Sequence, residues 1–300
     1  MKKHKVSSKR NLNKGIILLF IPGFLWYIIF KYLPLLGLTY AFTDFGRSAE
    51  VSFVGLENFV RLLQSPNFVR AFFNTLIISL MNILFFFPIP IILALLVNEL
   101  SSNRFKKSIQ FITYIPHFLS WVVVGSIFVM LLSPTTGIVN KVLLDLGMEK
   151  PIFFMASNDW FRWTIVGSLA WKDAGYGAVI FIAALAGIDP GLYEAAIIDG
   201  ANHWQKVLYV TLPSIRSTIA TVLFLTVAQI LKIFEQVFIM YNPAVYETGD
   251  VLKTYVYRVG LFNGDISYAT AAGLFTSIIS ALLIFGCNKL SKILFGESAI

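Results

Sequence analysis

Asp189 to Ser214 reads DPGLYEAAIIDGANHWQKVLYVTLPS and lies between two long apolar segments. Asp189 can cap a helix whose first residue, Pro190, already holds a helical φ. Glu194, Ala195, Ala196 and Ile198 continue that helix, and Gly200 ends it by supplying positive φ. A second short helix can run through Trp204 and Leu208, after which Leu212-Pro213 opens the next apolar segment. The flanking segments, about 161–187 and 214–240, each reach the roughly 20 residues that cross a bilayer as a helix. A capped polar connector between two such segments makes the chain an all-α membrane protein.

Composition extends this reading to the whole chain. Of 300 residues, 57% are hydrophobic and only 13% charged, with a mean hydropathy of +0.75. A water-soluble domain of that size needs more polar surface. Six apolar segments emerge, at about 16–41, 75–99, 109–133, 161–187, 214–240 and 267–288. Pro22 and Pro34 fall in the first, Pro88 and Pro90 in the second and Pro116 in the third, each predicting a kink. The outer loops at 42–74 and 134–160 leave room for short interfacial helices, with Arg61-Leu62-Leu63 and Asn158–Trp163 as candidate pieces.

Residues 1–15 form a basic tail and 16–300 a single membrane domain. Six basic residues stand in the first 14 positions, which suits a cytoplasmic anchor beside anionic lipid. With the N-terminus inside, the inner segments hold 13 Lys and Arg against 8 in the outer ones, so both termini are expected in the cytoplasm. The run from Ile16 to Phe42 has no Ala-x-Ala-type cleavage site and reads as a retained first helix. No basic–aromatic surface or recognition module accompanies the net charge of +8, which argues against nucleic acid. Cys287 is the only cysteine, so no intrachain disulfide can form. His4, His117 and His203 are too scattered for a metal site and read as surface or packing histidines.

The 189–214 stretch resembles the EAA loop of ABC importer permeases of the binding-protein-dependent type I family. The residues that carry the resemblance are Glu194-Ala195-Ala196, Asp199-Gly200-Ala201 and Leu212-Pro213. Phe53-Val54-Gly55-Leu56-Glu57-Asn58-Phe59, with Phe73-Asn74-Thr75, is similar to the first outer loop of the carbohydrate-uptake group, in its maltose and multiple-sugar branch. The chain lacks the extra N-terminal spans and large outer domain of the maltose form. The resemblance implies a six-helix pore subunit in a prokaryotic cell membrane, paired with a second permease subunit and served by an extracytoplasmic solute-binding protein. It implies two cytoplasmic ATPase domains that bind ATP and Mg and couple through Glu194, Ala195, Ala196, Asp199, Gly200, Leu212 and Pro213. The expected solute is an oligosaccharide or related carbohydrate.

The residues agree on several points. No Walker A pattern occurs, nor any Gly-Lys dipeptide, so this chain is not expected to bind ATP by that route; no metal, other cofactor or enzymatic activity is expected of it either. Solute-pathway candidates are polar or aromatic groups at membrane depth: Trp171, Lys172, Asp173 and Tyr176 in the fourth span, and Gln229, Lys232 and Glu235 in the fifth. Lys232 and Glu235, three apart, are expected to share a helix face. Lys31 is expected to snorkel. The alternatives are an ion-coupled secondary transporter, against which stands the absence of an inverted repeat of broken helices, and a membrane enzyme, for which no His-Glu-x-x-His or paired-acid site is present.

Overall fold

The computed structural model describes residues 14–47, 50–229, 231 and 233–295. Helices dominate, and the sole β feature among these residues is one bridge between Thr43 and Phe53. Four helices are long and apolar enough to span a bilayer: α1 (Leu18–Phe42), α3 (Pro66–Glu99), α7 (Asn158–Ala186) and the membrane part of α13 (Ile266–Phe295). Two bent pairs complete a set of six. One is α4 (Asn103–Phe118) with α5 (Trp121–Leu131), bent by 102°. The other is α9 (His203–Ser214) with α10 (Arg216–Ala228), bent by 63°. Short helices lie between them: α2 (Glu57–Gln64), α6 (Ile138–Asp145), α8 (Pro190–Ile198), α11 (Glu235–Met240) and α12 (Leu252–Tyr257).

Proline explains two of the irregularities. Pro88 and Pro90 cannot donate to the carbonyls one turn earlier, and the preceding turn of α3 widens into a π segment, Asn82–Phe86. There Phe87 N donates to Asn82 O, five residues back. In the third apolar segment the departure is larger than a kink. Pro116 lies in a tight turn, Ile115–Phe118, Leu119 is extended, and the Ser120 hydroxyl caps α5 by accepting from Val123 N.

The fifth segment also differs from the expectation of one helix over 214–240. Leu212-Pro213 closes α9, and the span proper begins after the bend at Ile215. It ends at Ala228, and Glu235 opens the separate helix α11. Between these helices, Leu231 and Ile233 are buried in different cores. Leu231 packs with Leu62, Phe68 and Tyr255, whereas Ile233 packs with Ile78, Phe161 and Val237. A third core, Ala94, Ala178, Phe181, Leu185 and Ile215, joins α3, α7 and the α9–α10 bend.

The two short loop motifs act as clasps. Asn58 Nδ2 donates to the carbonyls of Ala41 and Thr43, fastening α2 to the end of α1. Asn74 Nδ2 donates to the carbonyls of Glu247 and Asp250, while its Oδ1 accepts from Arg162 Nη2 at 2.7 Å. Arg162 Nε also donates to Thr248 O. Thr75 Oγ1 accepts from Leu252 N. These bonds join α3, α7 and the 247–252 loop where isolated polar groups would be costly. Asn158–Trp163, expected as a separate interfacial piece, is the first turn and a half of α7.

Candidate functional site

Two regions bear on function, and both are built around α7. The first is a cavity of about 650 Å³ between the π segment of α3, the end of α4, α7 and α10. That volume is in the range of small-molecule sites. Its polar wall includes Asn82, His117, Asp173, Gln229 and Gln236, and its aromatic wall includes Phe86, Phe87 and Tyr176. Asn82 Oδ1 is buried without a hydrogen-bond partner among the described residues. A larger groove of about 920 Å³ runs along α13 between Ala228 and Ile284, lined almost wholly by apolar and small side chains. Such a face suits close helix packing better than recognition of a polar solute.

α4 reaches the cavity because α7 accommodates its backbone. A β-carbon at Gly175 would collide with the Thr113 carbonyl and lie 2.8 Å from Tyr114 N. Lys172, only 7% exposed, donates from Nζ to the His117 carbonyl at 2.6 Å and lies 5.6 Å from the Trp121 ring centre. It thereby satisfies a carbonyl freed at the end of α4. Asp173 Oδ1 lies 2.8 Å from His117 Nδ1, and the His117 ring stacks on Tyr176.

Of the predicted pathway residues, Asp173, Tyr176 and Gln229 line this cavity, and Lys172 braces its wall. Trp171 points elsewhere, packing edge-on against Phe128 with ring centres 5.9 Å apart. Glu235 is exposed at the start of α11, and the expected shared helix face with Lys232 does not form, because α10 has already ended. Lys232 itself lies outside the described residues. Asn82, His117 and Gln236 went unpredicted. His117 is bonded to a residue 56 positions away, which local spacing does not reveal. Gln236 is adjacent to Glu235, and the expectation of a continuous fifth helix hides it.

The second region is the 189–214 connector, which follows the local chemistry closely. Asp189 Oδ1 accepts from Gly191 N, and Pro190 begins α8. Gly200, at φ +78°, turns the chain out of that helix, and Ala201 N donates back to Ala196 O. Asn202 and Gln205 then form a capping box for α9. Glu194, Ala195 and Asp199 are exposed, as is Pro213, while Leu212 packs against the third core. Ile198 is 85% exposed and Trp204 72%. The connector is also anchored: the Tyr193 and Thr211 hydroxyls lie 3.0 Å apart, and His203 lies beside Glu99 at the end of α3.

Residues 15–294 match the family model described as binding-protein-dependent transport system inner membrane component. The chain belongs to that family. Among its relatives, protein LplB of Bacillus subtilis (strain 168) is 42% identical over 284 residues, covering 93% of this permease and 89% of the relative. The polygalacturonan/rhamnogalacturonan transport system permease protein YteP of the same organism is 38% identical, covering 100% and 94%. A crystal structure of a bacterial alginate ABC transporter, in complex with alginate pentasaccharide-bound periplasmic protein, contains a chain that superposes with a TM-score of 0.87. That chain is 38% identical, with 95% of this permease and 96% of that chain covered. The permease therefore has the type I ABC importer fold, with the bent pairs counted among its six spans.

Proposed function

We propose that this permease forms one wall of an oligosaccharide pathway in an ATP-driven importer, paired with a second permease subunit. The carrying observation is the cavity beside α7, where Tyr176 supplies an aromatic surface among Asn82, Asp173, Gln229 and Gln236. A sugar has an apolar ring face and a rim of hydroxyls, and an aromatic platform ringed by amides and a carboxylate complements both. Relatives whose names specify polygalacturonan, rhamnogalacturonan and alginate support a carbohydrate solute.

The exposed 189–214 connector is the contact for two cytoplasmic ATPase domains, which bind ATP and Mg. Glu194 offers the negative charge, the small Ala195 and Ala196 permit close approach, Asp199 and Gly200 close the helix, and Leu212-Pro213 leads into the fifth span. Closure of the ATPase domains draws the connectors together, and their anchoring to α3 and α10 transmits that movement to the cavity. Both termini face the cytoplasm, and a solute-binding protein docks on the opposite face.

The test is reconstitution of the full complex with its binding protein in proteoliposomes. Probes are short oligosaccharides of polygalacturonan, alginate and arabinan. ATP-dependent accumulation of at least one probe is expected. Import of none, or import that persists without ATP, would contradict the reading.

A further inference from the structure

His117 lies in the last turn of α4, just before its break, and the pathway reading above gives its side chain no task. Its ring lies flat against Tyr176, with centres 4.1 Å apart and planes inclined by 4°. Its Nδ1 is 2.8 Å from Asp173 Oδ1. An ionised carboxylate only accepts hydrogen bonds, so the neutral ring carries its proton on Nδ1 and leaves a lone pair on Nε2. The backbone is pinned as firmly, by Lys172 on the His117 carbonyl and by the close approach at Gly175. The side chain nevertheless remains 32% exposed and borders the cavity that Asp173, Tyr176 and Gln229 line.

We propose that His117 is a solute-contacting residue whose Nε2, the acceptor left in the neutral ring when Nδ1–H faces Asp173, accepts a hydrogen bond from a sugar hydroxyl. A hydroxyl is the donor that this nitrogen can recognise, whereas a solute carboxylate would meet a lone pair and the Asp173 charge. The inference rests on the oligosaccharide reading and assigns one contact within it. The charged and titratable groups facing the ring are Lys172, Asp173 and Tyr176 from α7 and Tyr114 from its own helix. Protonation of His117 turns Nε2 into a donor and removes the acceptor. Import dependent on that acceptor therefore slows as pH falls.

The experiment is initial-rate uptake by the reconstituted complex with saturating, solute-loaded binding protein, using the oligosaccharides of polygalacturonan, alginate and arabinan. His117→Leu keeps the bulk and removes the acceptor, and is expected to import about tenfold more slowly. His117→Gln retains an acceptor that does not titrate, and is expected to stay within about twofold of wild type at neutral pH. Its rate should also lose the decline that wild type shows on acidification. Recovery of each variant in the assembled complex checks folding, and if the Leu variant fails to assemble, the Gln pH profile decides alone. Wild-type uptake by the Leu variant, a Gln variant that keeps the acid decline, or wild-type import that quickens in acid would each overturn the assignment. Wild type importing none of the probes would instead overturn the oligosaccharide reading on which it stands.

Discussion

At Gly175 the missing side chain is what allows α4 to cross α7 in backbone contact, so Gly175→Val drives a branched side chain into the Thr113 carbonyl. Overpacking of this kind costs about 1–3 kcal/mol. We expect a lowered unfolding temperature for the solubilised protein, with Gly175→Ala intermediate between valine and wild type. Equal stability of all three would show that α4 gives way instead. Glu194 makes a contrasting case, because it is exposed and contributes to no core. Glu194→Lys is expected to leave membrane insertion intact and abolish uptake, and normal uptake by that variant would end its assignment to coupling. The difference between these positions also explains what could be read from the chain. Asp189, Pro190 and Gly200 act within a few residues of themselves, so capping and turn chemistry expose them. Gly175, His117 and Asn82 owe their roles to neighbours on other helices, and no local spacing announces those.

Elements show the same division. The apolar lengths of α1, α3, α7 and α13 are legible because a bilayer demands about 20 residues whatever the packing. The 102° break after Pro116 is only half legible. Proline removes a helical donor, but the angle depends on Ser120 capping the next helix and on Lys172 receiving the freed carbonyl. The end of α10 at Ala228 is not legible, since no glycine or proline marks it and the apolar run continues through Leu231 and Ile233. The polar clasp in the N-terminal half of α3 offers a test of element docking. Asn74→Leu removes the acceptor of Arg162 Nη2 and the donor to two backbone carbonyls, and a loss of about 2 kcal/mol is expected in thermal unfolding of the purified protein. Arg47→Ala breaks only the exposed pair with Glu57 and should leave the transition unmoved. Equal effects would indicate that the Asn74 bonds are dispensable.

The whole molecule is built for company. None of the most apolar stretch of α1 is buried within the chain, and in the other three long spans only 17–28% of it is. The connector exposes Ile198 and Trp204. Removal of ATP should therefore halt solute accumulation without dispersing the membrane complex. The most direct measurement is affinity purification of the tagged permease from its native membrane, with mass spectrometry of every subunit that accompanies it. Recovery of a second permease and an ATPase, with the ATPase lost from Glu194→Lys, is the predicted result. A lone chain that transports solute without any ATPase would contradict the account.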